Sequence, residues 1–441
     1  MYHKKANIKT LLLAMLVILT SGCSKELDLV PESGVSPDQI NADNITFFLN
    51  GLYRRSIPDR DVYVLQDIRG ANYTWTALSG SNSNYGVLIT GDNVDDRLSF
   101  SEDIWEHAYR NIYNANTIID AAGQLGDTEA LQTVKAEASY LRAYLYYQLV
   151  TNFGGVPLIL TNTTENLPRN TAEEIWNQIL VDIDFAIANA QPFQVSGAKK
   201  VSVEAAQAFK SRVLLALGRK DEAAELAAAI ISSIGRDLDA DYGRIFRNTD
   251  AASEVIFAFS NLITESNIRM SSLFWPYGTE WAGSYFVQPS DYAVNELYEA
   301  GDVRKSVNIQ DVPSADGALT IVSKYWDVQP VVISRLSELY LICAEGFGAD
   351  KGLAYLNTLR QKRGVDVLAA GDFPDADTYL NAVLEERRRE LYSEGFLFYD
   401  LVRTDKAIDL PNVRLKAHYL LPLPGAQINL SENVLEQNDE Y

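Results

Sequence analysis

Residues Lys135–Leu160 read KAEASYLRAYLYYQLVTNFGGVPLIL. Two apolar stripes run along this stretch at helical spacing. One is Ala138, Leu141, Leu145 and Leu149; the other is Tyr140, Ala143, Tyr147 and Val150. A helix that is apolar on most sides is enclosed by other elements. Its end is marked: Gly154-Gly155 can adopt the left-handed conformation of a helix C-terminus, and Val156-Pro157 cannot continue the helix. Arg142 lies inside this apolar surface. A guanidinium keeps its proton, so it needs a carboxylate or carbonyl from another segment. It reads as half of a structural ion pair.

Helical spacing continues on both sides. Asp43-Asn44 supply cap residues for a helix through Phe47, Leu49 and Leu52. Ile104, Trp105, Ala108, Ile112, Ala115 and Ile119 place a helix over 102–122, and the quoted stretch belongs to one over 129–153. Thr171 and Glu174 stand at capping-box spacing before Ile175, Ile179, Ile183 and Ile187. Residues 203–234 form two helices split at Gly218. Their Leu-Ala-Leu-Gly turn, with small Ala223 and Ala227 following, resembles a tetratricopeptide helix pair. Two further helices are expected over 332–346 and 353–363, and another over 378–398. Residues 254–260 and 319–326 read as strands, and the tail from Leu421 as extended and polar. Two stretches interrupt this order. Residues 62–97 and 262–290 show no sustained period, are rich in Gly, Asn and Ser, and carry many aromatics. Long irregular segments of this kind are commonly functional.

The chain has 441 residues, 47% hydrophobic, enough for one large domain over 43–441. Residues 1–22 read as an export signal: Lys4, Lys5 and Lys9, then an apolar run over Leu11–Leu19 too short to span a bilayer. Thr20-Ser21-Gly22-Cys23 follows. A small residue before cysteine is the pattern of a lipoprotein signal, although Thr20 stands where leucine is usual. Cys23 is therefore the expected lipid attachment site, and residues 23–42 a polar tether. The formal charge is −21, and removing the three lysines of 1–22 takes it to about −24. Such a surface excludes nucleic acid and electrostatic docking on anionic lipid.

Little catalytic chemistry is available. Cys23 and Cys343 are the two cysteines, and Cys343 sits in an apolar helical pattern, so it reads as buried and inert. Three histidines, one within the signal, give no zinc site. No GxSxG, HExxH or phosphate-loop pattern occurs. Asp92, Asp95, Asp96 and Glu280 are candidates for a hydrolytic carboxylate pair, but acidic loop residues of so negative a chain read as solvated. Asp92–Asp96 lacks EF-hand spacing. No metal and no cofactor is expected. Binding chemistry is richer. Trp75, Trp275 and Trp281 lie in the irregular stretches beside Tyr73, Tyr85, Phe274, Tyr277, Tyr285 and Phe286. Exposed rings offer apolar faces on which the C–H face of a sugar stacks. Asp67, Arg69, Asn72, Asn82, Asn84, Glu280 and Gln288 offer donors and acceptors for its hydroxyls. The expected ligand residues are Asp67, Arg69, Asn72, Tyr73, Trp75, Trp275, Tyr277, Trp281 and Tyr285. Trp105 and Trp176 fall on helical apolar spacing and read as core.

Several segments together resemble the SusD/RagB family of surface nutrient-binding lipoproteins. They are Trp105-x-x-x-Tyr109-x-x-Ile112-x-x-Ala115-Asn116; AEASYLRAYLYYQLVTNFGGVPL; EEIWNQILVDIDFAIANA from Glu173; Ser334–Leu341 through Ala344-Glu345; and ERRRELYSEGFLFYDLVR from Glu386. Pro422-Leu423-Pro424 and Leu435–Asn438 resemble the family's ending, with Asp439-Glu440 where it has Pro-Gly. The resemblance implies a mostly helical fold of tetratricopeptide-like helix pairs, with inserted loops and a few short strands. It implies a non-catalytic lipoprotein on the cell surface, anchored in the outer membrane, that passes oligosaccharide to a TonB-dependent transporter of the SusC kind. Arg142, Glu338, Glu345, Arg387, Glu390, Glu394, Asp400 and Arg403 then belong to scaffold ion pairs. Some relatives take peptides instead, so a peptide ligand is the first alternative; a secreted glycoside hydrolase is the second.

Overall fold

The computed structural model describes residues 39–75, 83–279, 281, 283–314 and 317–441. The export signal, Cys23 and nearly all of the tether lie outside them. Residues 42–441 cluster as one unit. In chain order the elements used below are α1 (Ile45–Arg55), α2 (Arg60–Tyr63), α3 (Leu65–Arg69), β1 (Tyr73–Trp75), α4 (Ser83–Thr90), α5 (Ser99–Leu125), α6 (Glu129–Phe153), α7 (Ala172–Asn189), α8 (Val203–Ala216) and α9 (Lys220–Ser233). Then come β2 (Val255–Phe259), β3 (Val287–Pro289), β4 (Ile309–Ser314), β5 (Gly317–Val322), β6 (Val331–Arg335), α10 (Leu336–Gly346), α11 (Gly348–Lys362), α12 (Ala376–Glu390), α13 (Leu397–Arg403) and α14 (Gly425–Leu430).

Helices dominate, as expected. From α5 to α12 each long helix packs on the next, which makes a continuous row. The enclosed helix of the quoted stretch is α6, held between α5 and α7. Leu141, Leu145 and Leu149 are fully buried, each worth about 1.5–3 kcal/mol relative to exposure. Gly154 takes φ +73° at its end. A Cβ on Gly155 would stand 2.2 Å from the carbonyl oxygen of Asn170, so the chain entering α7 can pass only over glycine. Thr171 and Glu174 form the capping box of α7. Arg142 finds its partner there: Nε and Nη2 meet the Asp182 carboxylate at 2.8 and 2.7 Å, and Nη1 donates to Asn116 Oδ1 at 2.8 Å. Cys343 is buried, and burial pushes its thiol up to about 12.

Three antiparallel strand pairs lie beside the row: β1 with β3, β2 with β6, and β4 with β5. The β2–β6 pair is buried throughout. Phe257 and Phe259 of β2 pack edge-on against Tyr53, and the ring of Tyr140 on α6 lies 5.5 Å from Phe257.

Four expectations need correction. Residues 332–335 are strand β6, not the first turn of a helix, because Glu254, Phe257 and their neighbours pair with them. Residues 62–97 contain α3, β1 and α4 rather than loop alone; Val64, Leu65 and Ile68 are fully buried, which fixes turns too short to show a period. Residues 376–403 form two helices, α12 and α13, since Ser393 and Gly395 take positive φ between them. The tail is not wholly extended, because α14 follows Pro424, which suits a helix start.

The segments of the SusD/RagB-like pattern converge on buried charge. Glu390, at the end of α12, meets Arg335 Nη1 at 2.6 Å, Arg363 Nη2 at 2.8 Å and Arg304 Nη1 at 3.0 Å. Around it Asp302, Glu254, Glu386 and Glu394 hold the same arginines together with Arg360 and Lys324. The cations Arg304, Arg335, Arg360, Arg363 and Lys324 thus match the acids Asp302, Glu254, Glu386, Glu390 and Glu394 one for one. All are buried. Beside them Arg212 holds Glu338, while Arg403 holds Glu345 and Asp400, which Arg387 also holds. Each of the eight charged residues that the resemblance assigns to the scaffold therefore serves an internal pair.

Candidate functional site

The two aromatic insertions meet. β1 comes from the first and β3 from the second, with Tyr73 opposite Pro289, Thr74 opposite Gln288 and Trp75 opposite Val287. The amide of Ser290 adds a bond to the Asn72 carbonyl at 2.9 Å. Within the second insertion the amides of Ser284 and Phe286 donate to the carbonyls of Ser272 and Leu273, each at 2.8 Å. Segments more than two hundred residues apart thus share one backbone ladder.

Most of the expected ligand residues build the underside of this ladder. Asp67 is fully buried; it accepts from Asn72 Nδ2 at 2.7 Å and from the amides of Ser393 and Gly395 at 3.0 and 2.7 Å. Burial raises its pKa to about 6, against the lowering pull of those three donors. Asn72 accepts from Arg388 Nε at 2.8 Å. The Tyr73 hydroxyl donates to Ser393 Oγ at 2.6 Å. Trp275 gives its indole N–H to the Tyr325 carbonyl at 2.7 Å, and the Tyr285 hydroxyl donates to the Thr320 carbonyl at 3.0 Å. Arg69 is buried under Phe398 and donates to the carbonyls of His418 and Tyr419. As surface ligand groups, Asp67, Arg69, Asn72, Tyr73, Trp275 and Tyr285 are therefore corrected. The physical reason is similar throughout. Segments brought in from distant parts of the chain carry polar groups that need partners in the interior: Asp67, Arg69, Trp275 and Tyr285 satisfy backbone groups there, and Asn72 and Tyr73 satisfy the side chains of Arg388 and Ser393.

Three expected rings do reach the surface. Trp75 is 39% exposed and Tyr277 93% exposed, while Trp281 is half-buried. The seat of Trp75 is specific. Its ring atoms lie 3.4–3.6 Å from where a Cβ on Gly86 of α4 would be. One face of the indole is thus laid on a residue without a side chain. Next to Gly86, Tyr85 stacks on Phe286 at 5.1 Å and 18°, and its hydroxyl donates to Asp61 Oδ1 at 2.6 Å. Asp61 pairs with Arg60 at 3.4 Å, and Arg60 also donates to Ser272 Oγ. A partly exposed cation and carboxylate thus stand at the hydroxyl end of Tyr85. Trp281 packs at 6.2 Å against Trp326, whose ring lies 4.4 Å from the Arg247 guanidinium. Sequence reasoning passed over Arg60, Asp61, Gly86 and Arg247. A glycine inside an aromatic insertion, next to Tyr85, was the available signal for the seat.

The surroundings are acidic. Asp103 is raised above the usual carboxylate range by burial, then by the negative charges of Asp59 and Asp61. Such a field favours a neutral ligand over an anionic one. Among the other polar groups expected here, Asn84 donates to Ser99 Oγ at 2.6 Å and the Gln288 side chain lies 2.9 Å from the Tyr285 hydroxyl. Asn82 and Glu280 lie outside the described residues. Asp92 pairs with Arg414 and Asp95 with Arg97, both on the surface. No cluster of metal-ligating residues occurs among the described residues.

Two family models match the chain. One, described as starch-binding associating with outer membrane, covers residues 31–215, and the SusD family model covers residues 259–412. Two SusD-like proteins of Formosa agariphila are similar over the whole length. One is 23% identical over 99% of this chain and 100% of its own, the other 25% identical over 92% and 93%. Among solved structures, a laminarin binding SusD-like protein superposes with a TM-score of 0.77 at 21% identity, covering 91% of this chain and 100% of its own. The surface glycan-binding protein A of Bacteroides thetaiotaomicron, in complex with laminarihexaose, gives 0.77 at 19% identity over 90% and 100%.

Proposed function

Because the chain belongs to the SusD/RagB family, we propose that it is a non-catalytic glycan-binding lipoprotein of the outer membrane. It presents neutral oligosaccharides on the surface formed by the two joined insertions and passes them to a SusC-like TonB-dependent transporter. The observation that carries this reading is Trp75: an indole laid by one face on Gly86 and still 39% exposed. A ring held this way is a preorganised stacking surface, and it loses little side-chain freedom when a sugar arrives. Arg60 and Asp61, partly exposed at the Tyr85 hydroxyl, offer a donor and an acceptor for hydroxyls. The acidic setting supports an uncharged ligand. The names of the relatives, which include binders of laminarin and laminarihexaose, point to the same class of molecule. Cys23 anchors the protein through lipid, and residues 23–42 tether one domain that begins at 43.

Isothermal titration of the soluble domain with neutral oligosaccharides and with a protein hydrolysate tests the assignment. Binding of a neutral oligosaccharide, weakened about tenfold by Trp75→Ala (about 1.4 kcal/mol), is the expected result. Heat from peptides alone would replace the sugar by a peptide ligand. Release of reducing ends by the pure protein would make it a hydrolase.

A further inference from the structure

Trp281 does not stand alone in the second insertion. The ring of Trp326 lies 6.2 Å from it at 42°, and the Arg247 guanidinium lies 4.4 Å from the centre of the Trp326 ring. Arg247 and Trp281 therefore border one ring. The three residues come from separate segments: Arg247 closes a helical turn at Arg244–Arg247, Trp326 lies between β5 and β6, and Trp281 precedes β3. Contact with an indole restrains a long side chain that would otherwise sample many rotamers, so the planar fork of Arg247 is held ready.

The polar groups of this cluster are all donors, since neither a guanidinium nor an indole N–H can accept. Arg247 is exposed and makes no hydrogen bond and no ion pair among the described residues. Trp275 gives its indole N–H to the Tyr325 carbonyl. The indole nitrogens of Trp281 and Trp326 have no such partner among the described residues, and both rings are half-buried with the nitrogen still open to solvent. The acids nearby do not complete the set. Asp327 is held by Arg269 at 3.2 Å and Asp239 by Arg244 at 3.5 Å, while exposed Asp241 acts on Arg247 through its charge at a distance. Gln329 Oε1 is taken by the backbone amide of Trp326 at 3.1 Å. Open donors beside ring faces call for a group that only accepts, carried on a body with an apolar face.

We propose that Arg247, Trp326 and Trp281 form a subsite for an acidic sugar unit, whose carboxylate or sulfate ester accepts from Arg247 while its ring packs on the indoles. This subsite presupposes the glycan-binding reading above and sharpens it: a chain that is uncharged where it crosses Trp75 carries its acidic unit here. Asp61 and Asp103, which disfavour an anion, act on Tyr85 beside the Trp75 seat. Six residues separate Trp281 from Val287, the strand partner of Trp75, so about 20 Å of extended chain at most lies between the two places. One oligosaccharide can span that length.

Isothermal titration of the soluble domain compares methyl glucuronide with methyl glucoside, methyl galacturonide with methyl galactoside, and glucose 6-sulfate with glucose. At least one acidic sugar is expected to bind about tenfold or more tightly than its neutral parent, and the carboxylate and sulfate arms tell which anion is preferred. Arg247→Gln should remove that preference. Arg244→Gln, which takes a surface cation from the same helical turn, should keep it. Trp326→Phe retains a ring but loses the N–H, and should reduce the preference about threefold. Arg247 is exposed, so Arg247→Gln is expected to keep the melting temperature of the parent. Raising NaCl from about 0.05 to about 0.5 M should weaken the acidic sugar and leave its neutral parent unchanged. If no acidic sugar outbinds its parent, or if the preference survives Arg247→Gln, the subsite is overturned, and neutral oligosaccharide binding that depends on Trp75 would still stand. A preference seen here without any such binding would remove the Trp75 reading alone.

Discussion

Replacing Glu390 by glutamine keeps the shape of the side chain and removes one charge from the centre of the buried cluster. Three guanidiniums lie within 3.0 Å of its carboxylate. With Glu390 counted among them, five acids balance five cations in the cluster, so Glu390→Gln leaves one positive charge uncompensated in the interior. Removing one partner of a buried pair costs about 3–5 kcal/mol. A domain has only about 5–15 kcal/mol to lose, so the variant should fold but with much of its stability gone. Urea unfolding followed by far-UV circular dichroism reads this directly. With a slope of about 3 kcal/mol/M, the midpoint should fall by about 1–1.7 M. The pH dependence is equally definite. Burial alone would raise the pKa of Glu390, but Arg363, Arg335 and Arg304 hold it well below the usual carboxylate range. Its contribution is complete above the unfolded value of about 4.3 and is lost only as pH falls through the lower folded value. The gap between parent and variant should therefore be constant from pH 7 to pH 5. A gap under about 1 kcal/mol, or one that closes between pH 7 and pH 5, would refute this account of the cluster.

Gly86→Leu places a side chain where the Trp75 ring now rests, 3.4 Å away. Oligosaccharide affinity should fall about tenfold, while helix propensity at this position improves by about 0.8–1 kcal/mol, so titration and melting temperature should move in opposite senses. Lys324 is fully buried, and burial lowers its pKa to about 8 in spite of Glu394. Between about pH 8 and pH 10.5 the unfolded chain holds a proton there that the folded chain has released, so this residue makes stability rise with pH in that window. The rise amounts to about 3 kcal/mol at most. Lys324→Met should flatten it in urea titrations at pH 8, 9 and 10, and an unchanged slope would contradict the assignment.

What the sequence made legible follows from how local each signal is. The enclosed nature of α6, its glycine stop and the Thr171–Glu174 cap are written within a few residues, and the structure repeats them. That Arg142 needs a partner is likewise local, but the identity of that partner, Asp182, depends on how α6 and α7 pack. Strand β6 is a case where local evidence misleads. Its apolar run passes directly into α10, and only β2, more than seventy residues away, makes it a strand. Trp75 and Trp275 carry the same chemistry in similar surroundings. A carbonyl at Tyr325 draws one inward and a glycine at position 86 holds the other out, and neither is visible as a period or a motif. Asp67 and Asn72 looked like surface loop groups because their partners, the amides of 393 and 395 for one and the Arg388 guanidinium for the other, lie over three hundred residues downstream.

The pairing of β1 with β3 bears on any attempt to redirect what the protein recognises. A chimera that receives only the first insertion of a relative inherits an edge cut to fit a different counterpart. The graft would then lose its footing before its new side chains could be judged. Exchanges designed as matched halves, 62–97 together with 262–290, keep the clasp intact, and variation in nature faces the same restriction.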